Sequence, residues 1–129
     1  MAAKKRSFRS VAARRRVLVV DDDSETRSIL SAYLSGVGYD SRFVTNGKRA
    51  LDLLRTEPLP DVVVWGEWKS GVSGPEFVRR LRADPATTVL PVLRMTPERT
   101  ASEASLDGAD AASPRPFRLL DLCDKLVRL

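Results

Sequence analysis

Short apolar runs recur along the chain, and segments with helical spacing separate them. The clearest runs are residues 17–20 and 62–65, each four residues long and rich in valine. Runs of this length and composition are typical of strands whose two faces are both buried. Strands buried in this way occur in parallel sheets that helices cover on both sides. The pattern therefore predicts a doubly wound α/β fold.

The order of the predicted elements supports the same fold class. The predicted strands are residues 17–20, 41–45, 62–65, 89–95 and 108–112. The predicted helices begin near Asp23 or Ser24, Asn46, Pro75, Thr96 and Phe117. Strict alternation of strands and helices implies a parallel sheet, and right-handed crossovers leave few topologies for it. We expect a single (βα)5 domain.

Length and composition exclude several classes of protein. A chain of 129 residues suggests one domain. No apolar run approaches the roughly 20 residues of a membrane helix, and the basic N-terminus is not followed by the apolar stretch of about 7–15 residues that a secretory signal has. The single cysteine, Cys123, excludes an internal disulfide and favours a reducing, cytoplasmic setting. The absence of histidine excludes a histidine-dependent catalytic triad.

The positive charge of the chain is concentrated at its N-terminus. The net charge is +5, but residues 1–16 hold seven basic and no acidic residues, so residues 17–129 are slightly acidic. We expect residues 1–16 to form a flexible basic tail and residues 17–129 to form the domain. An alternative is that the tail binds nucleic acid without sequence specificity, through charge alone.

Polar residues follow four of the predicted strands. In a doubly wound sheet, functional residues collect at the carboxyl ends of the strands. The residues at these positions are Asp21, Asp22, Gly66, Glu67, Thr96 and Arg115. We therefore expect them to meet at one edge of the sheet.

Several motifs in this order resemble one family. They are Val-Leu-Val-Val-Asp-Asp-Asp at 17–23, Pro-Asp-Val-Val-Val at 60–64, Gly-Val-Ser-Gly at 71–74, residues 91–96, Gly-Ala-Asp at 108–110, and Pro116-Phe117. The chain resembles the receiver domains of response regulators over residues 17–129. The resemblance implies a flavodoxin-like five-stranded parallel sheet in the order 2-1-3-4-5, and bacterial two-component signalling.

The resemblance also implies a reaction and a set of roles. Receivers take a phosphoryl group onto an aspartate that ends the third strand, with Mg²⁺ held by an acidic pair. Asp21 and Asp22 match that pair, with Asp22 nearer the metal. Thr96 matches the hydroxyl that reports the phosphoryl group to the switching face.

Other positions depart from the family pattern. The acceptor aspartate falls on Gly66, which has no side chain, and the family's lysine falls on Arg115, whose planar guanidinium is a poor substitute for a compact ammonium. The switch aromatic falls on Ala112. We therefore predict a degenerate phosphorylation pocket, with no cofactor expected and any Mg²⁺ binding weakened.

The remaining charged groups leave alternatives open. Asp21 and Asp22 either keep a weakened metal site or only stabilise the start of the first helix. Arg115 is expected to pair with Asp21 or Asp22. Glu67 is a poor substitute acceptor, because alternation in a strand turns it away from the face of Gly66.

These features predict a pseudo-receiver that is not an enzyme. It would bind a protein partner through the face formed by the fourth helix, fifth strand and fifth helix, or through the altered pocket, and that face also suits a homodimer. Trp68 either anchors a partner or covers the space left by Gly66. The alternatives are a receiver phosphorylated on a non-standard residue, such as Glu67, and a nucleic-acid-associated regulator that uses residues 1–16.

Overall fold

Five parallel strands form one sheet in the order β2-β1-β3-β4-β5. The computed structural model describes residues 15–96 and 109–114, with backbone only for Thr96 and residues 111–114. The strands are β1 (Arg15–Val20), β2 (Tyr39–Val44), β3 (Val62–Trp65), β4 (Val92–Thr96) and β5 (Ala111–Pro114). The helices are α1 (Ser24–Gly36), α2 (Gly47–Thr56) and α3 (Gly74–Ala83). The predicted fold class and strand order are confirmed.

Three predicted segments fall outside the described residues. They are most of the basic tail, the helix expected after Thr96 and the final helix expected from Phe117. The domain boundary between Arg16 and Val17 stays a prediction. Strand β1 nevertheless begins two residues before it, because Arg15 and Arg16 pair with Tyr39 and Asp40 of β2.

The predicted start of the fourth strand was wrong by three residues. Val89 is apolar, yet it is 85% exposed and lies in a turn. Strand β4 begins at Val92, immediately after Pro91, which has no N–H to donate to a neighbouring strand. The fifth strand likewise begins at Ala111 rather than at residue 108.

The sheet carries a core on each face, and alternation along the strands assigns each side chain to one of them. On one face, Leu18, Val20, Val63 and Trp65 pack with residues of α2 and α3, namely Ala50, Leu54, Phe77, Val78 and Leu81. On the other face, Val17, Val19, Val62 and Val64 pack with Leu30 and Leu34 of α1. Strands β1 and β3 are therefore central to the fold.

Helices α1, α2 and α3 each begin at a capping side chain that accepts a backbone N–H of the first turn. Asp23 caps α1 by accepting from Thr26 N, Asn46 caps α2, and Ser73 caps α3. These caps satisfy N–H groups that have no partner within the helix. Among the described residues, no helix is long and apolar enough to cross a membrane.

Arg82, near the end of α3, joins three parts of the chain. Its guanidinium donates to the carbonyl oxygens of Thr88 (3.0 Å) and Leu90 (2.7 Å) and to the carboxylate of Asp110 (3.0 Å). The same Asp110 carboxylate accepts from Val92 N at 2.8 Å, and Asp110 N donates to Val92 O. This network fixes the entrance of β5 against the first residue of β4.

Replacing Asp110 by alanine is expected to lower the free energy of unfolding by about 1–3 kcal/mol, because the N–H of buried Val92 loses its acceptor. Urea unfolding measures this free energy, provided that the dependence of the free energy on urea concentration (the m value) is the same in both proteins. The control is Asp52→Ala, which removes only exposed ion pairs with Lys48 and Arg55 and should cost less than about 0.5 kcal/mol. Equal losses in the two variants would contradict the assigned role of Asp110.

Candidate functional site

The carboxyl ends of β1 and β3 lie side by side. Val20 and Trp65 are register partners, and the pairing continues beyond the strands. Gly66 N donates to Val20 O at 2.8 Å, and Asp22 N donates to Glu67 O at 2.8 Å. The positions after the register pair, Asp21 and Gly66, therefore face the same side of the sheet. The structure brings four of the predicted site residues together.

The carboxylate of Asp21 is fully buried at 0% exposure. Its Oδ1 accepts from Asp23 N at 2.8 Å, and its Oδ2 accepts from Glu67 N at 3.0 Å. Hydrogen bonds from backbone N–H groups are what a buried carboxylate requires to offset the loss of water. Through these two hydrogen bonds, Asp21 connects the segment after β1 with the segment after β3.

The same carboxylate fills the space beside Gly66. A Cβ placed on Gly66 would lie 1.9 Å from Asp21 Oδ2, 2.8 Å from its Cγ and 3.0 Å from its Cβ. Separations this short are not tolerated between non-bonded atoms. Residue 66 can therefore be only glycine while Asp21 keeps this position.

Asp22 and Glu67 are both exposed, in contrast to Asp21 and Gly66. Asp22 Oδ2 accepts from Lys69 N at 3.1 Å, which orders the loop after β3. A cleft of about 540 Å³ opens here, and its lining comprises Asp22, Asp23, Trp65, Gly66, Glu67, Trp68, Lys69, Gly74 and Arg94. The cleft therefore has carboxylates, cations and two indole rings along its walls.

Trp65 forms the inner wall of this cleft and is only 4% exposed. The guanidinium of Arg94 lies over its ring, 4.8 Å from the ring centroid, in cation–π geometry. The two residues are register partners on β3 and β4, so they project from the same face of the sheet. The edge of the indole lies against Gly74, where α3 begins.

Trp68 is half-buried and makes contacts within the fold. Its Nε1 donates to Val72 O at 2.5 Å, and its ring meets Phe77 edge to face at 5.7 Å between centroids. A Cβ on Gly47 would lie 3.0 Å from the Trp68 ring. By contrast, the three atoms nearest to a Cβ on Gly66 all belong to Asp21. The role of Trp68 as a partner contact stays a prediction.

Comparison with known proteins decides the family. The model of the response regulator receiver domain matches residues 17–126. This chain belongs to the response-regulator receiver domain family. It is 39% identical over 117 residues to response regulator MprA of Mycolicibacterium vanbaalenii and 37% identical to MprA of Mycobacterium avium. Each alignment covers 88% of this chain, which spans about half the length of these curated relatives.

Solved structures agree with the receiver fold. A response regulator from Chloroflexus aurantiacus superposes with a TM-score of 0.82 at 28% identity, covering 90% of this chain and 97% of that one. The chemotaxis response regulator CheY4 of Vibrio cholerae superposes with a TM-score of 0.79 at 26% identity, covering 90% of this chain and 98% of that one. The family resemblance inferred from the motifs is confirmed.

A receiver magnesium site needs several oxygen ligands around one point. In the described parts of this receiver, no group of three or more histidine, cysteine, aspartate or glutamate side chains could hold a metal ion. Both carboxylate oxygens of Asp21 accept backbone N–H groups, and Gly66 contributes no carboxylate. The described residues around Asp21 and Gly66 therefore do not fit a site built on three carboxylates.

For two other predicted receiver positions, Thr96 and Ala112, the structure describes only the backbone, and a third, Arg115, lies outside the described residues. Thr96 ends β4 opposite Pro114, so it lies at the same edge of the sheet as Gly66. Ala112 pairs with Arg94 and so belongs to β5. Arg115 lies outside the described residues, and its ion pair with Asp21 or Asp22 stays a prediction.

The sequence reasoning missed Arg94 and Gly74. Arg94 interrupts the apolar run of β4, and a charge inside a buried strand is a signal that it has a specific partner. Its partner, Trp65, is set by the register between β3 and β4, which the sequence does not show. Gly74 belongs to the Gly-Val-Ser-Gly motif, but its position against the Trp65 ring was not predicted.

Proposed function

We propose that this receiver domain is a pseudo-receiver, which acts in bacterial signal transduction as a phosphorylation-independent protein-interaction module. One observation carries the proposal. The resemblance places the phosphoryl acceptor at Gly66, and the carboxylate of Asp21 fills the space that an acceptor side chain would need. An acyl phosphate requires a carboxylate oxygen as nucleophile, and residue 66 offers none.

The exposed carboxylates of the cleft are weaker candidates for the acceptor. Asp22 is held by Lys69 N, and Glu67 is exposed beside buried Gly66. Phosphoryl transfer relies on a positioned cation that neutralises the developing charge. The described residues of the cleft do not provide the carboxylate cluster that would hold such a cation. A non-standard acceptor is therefore the second interpretation.

The partner class follows from family membership and from the shape of the cleft. Receivers act through contacts with other proteins, and this cleft combines a charged rim with indole rings, a composition common at protein interfaces. The face of the fourth helix, β5 and the fifth helix is the other expected contact surface, for a partner or a second copy. The single cysteine and the family favour the cytoplasm.

The proposal predicts that acetyl phosphate with Mg²⁺ adds no phosphoryl group to the folded chain. Intact-mass spectrometry measures this, with a receiver that has its acceptor aspartate as the positive control under the same conditions. A stoichiometric, hydroxylamine-sensitive gain of one phosphoryl group would contradict the proposal. The variants Asp22→Asn and Glu67→Gln would then identify the residue modified.

A further inference from the structure

The contact between Asp21 and Gly66 joins two positions that are 45 residues apart in sequence. The side chain of Asp21 approaches Gly66 through its Oδ2, Cγ and Cβ atoms, all within 3.0 Å of an ideal Cβ. Because Cγ and Cβ also lie close, rotating the carboxylate alone would not remove the clash. The Oδ2 atom is bound to Glu67 N at 3.0 Å, while Oδ1 is bound to Asp23 N at 2.8 Å.

Moving this carboxylate would leave two backbone N–H groups without their acceptor. Asp21 is fully buried, so water could not replace the carboxylate at low cost. The Asp21 carboxylate supplies the negative charge, and its hydrogen bonds with Asp23 N and Glu67 N order the segments after β1 and β3. These backbone N–H groups hold the carboxylate in this position.

We propose that Asp21 is a positioning residue that occupies the volume of the missing side chain at residue 66, and that it holds the ends of β1 and β3 together without a metal ion. Positions 21 and 66 are then coupled: a side chain at 66 requires that the Asp21 carboxylate leave its two N–H donors or that the side chain at 21 become smaller. The proposal concerns the folded structure and stands whether or not another residue accepts a phosphoryl group.

A double-mutant cycle on the full chain tests the coupling, with the urea midpoint as the readout. The four proteins are the wild type, Asp21→Ala, Gly66→Ala and the double variant. Gly66→Ala should lower the midpoint clearly in the wild-type background and by much less in the Asp21→Ala background, where only the Cβ of residue 21 stays near the new Cβ. Additive effects of the two substitutions would overturn the proposal.

A further background, Asp21→Asn, keeps the side-chain volume while it removes the charge and one of the two acceptor oxygens, and it remains useful if Asp21→Ala fails to fold. Asparagine keeps the volume of aspartate, so Gly66→Ala should lower the midpoint as much as it does in the wild type. The control pair is Asp21→Ala with Gly36→Ala. A Cβ on Gly36 meets no atom within 4 Å, so this pair should be additive. If Gly66→Ala is harmless in the Asp21→Asn background, the volume argument fails.

A magnesium titration tests the alternative role of Asp21. Adding Mg²⁺ to the wild type should leave the urea midpoint unchanged, because a cation that bound the folded state would raise it. A Mg²⁺-dependent rise that disappears in Asp21→Asn would show that Asp21 is a metal ligand, and would overturn the proposal. The acetyl phosphate measurement is independent of both results, so the two proposals can fail separately.

Discussion

Replacing Phe77 by alanine is expected to lower the free energy of unfolding by about 3–5 kcal/mol. Phe77 is 0% exposed and is the largest fully buried side chain among the residues that the structure describes. It lies on α3 and packs into the core formed with β1, β3 and α2. Truncation removes this burial and leaves a cavity that the two helices and the sheet cannot fill by a small shift.

The same substitution should loosen the loop after β3, because Trp68 loses the ring that it meets edge to face. Urea unfolding gives the free energy, and near-ultraviolet circular dichroism gives the order of the indole. The control Phe77→Leu keeps most of the volume and should cost less than about 1.5 kcal/mol. A loss below about 1 kcal/mol for Phe77→Ala would contradict the packing described here.

Replacing Gly74 by alanine is expected to lower the free energy of unfolding by about 1–3 kcal/mol, as overpacking of a core does. The new Cβ would lie 2.2 Å from Cζ2, 2.3 Å from Nε1 and 2.4 Å from Cε2 of Trp65. That indole is buried, and Arg94 lies over its ring. The Trp65 ring can therefore move away from the new Cβ only if the neighbouring residues of the cleft wall also move.

Helix propensity alone predicts the opposite sign, because alanine is favoured over glycine in a helix by up to about 1 kcal/mol. Gly36, the last residue of α1, supplies the matched control, since a Cβ there meets no atom within 4 Å. Gly36→Ala should be neutral or slightly stabilising. Urea midpoints compare the two variants, and a second substitution, Trp65→Phe, should reduce the cost at Gly74. Equal stabilisation by both alanines would refute the steric reason.

The class of the fold could be predicted because a strand that is buried on both faces of the sheet has a continuous apolar sequence. The four residues of β3 are all buried, and a strand in that environment is uniformly apolar. The strand ends were less predictable. Val89 extends the apolar pattern into an exposed turn, whereas Arg15 and Arg16 are charged yet pair with β2. Hydrogen-bond register, not hydropathy, sets these ends.

The candidate site could be predicted in part. The meeting of Asp21, Asp22 and Gly66 follows from topology, because neighbouring parallel strands end at the same edge. The direction of the Asp21 carboxylate does not follow from topology. It depends on two backbone N–H groups, of Asp23 and Glu67, whose positions are known only from the folded loops. The sequence identifies the missing group but not the atoms that fill its place.

Both tryptophans of the chain flank the cleft, and their surroundings differ. Trp65 is shielded and carries a guanidinium on its ring face, whereas Trp68 is half-buried in the adjoining loop. The intrinsic fluorescence of this protein is therefore a local signal rather than a global average. Emission wavelength and quenching by iodide would follow events at this one edge of the sheet, without any attached dye.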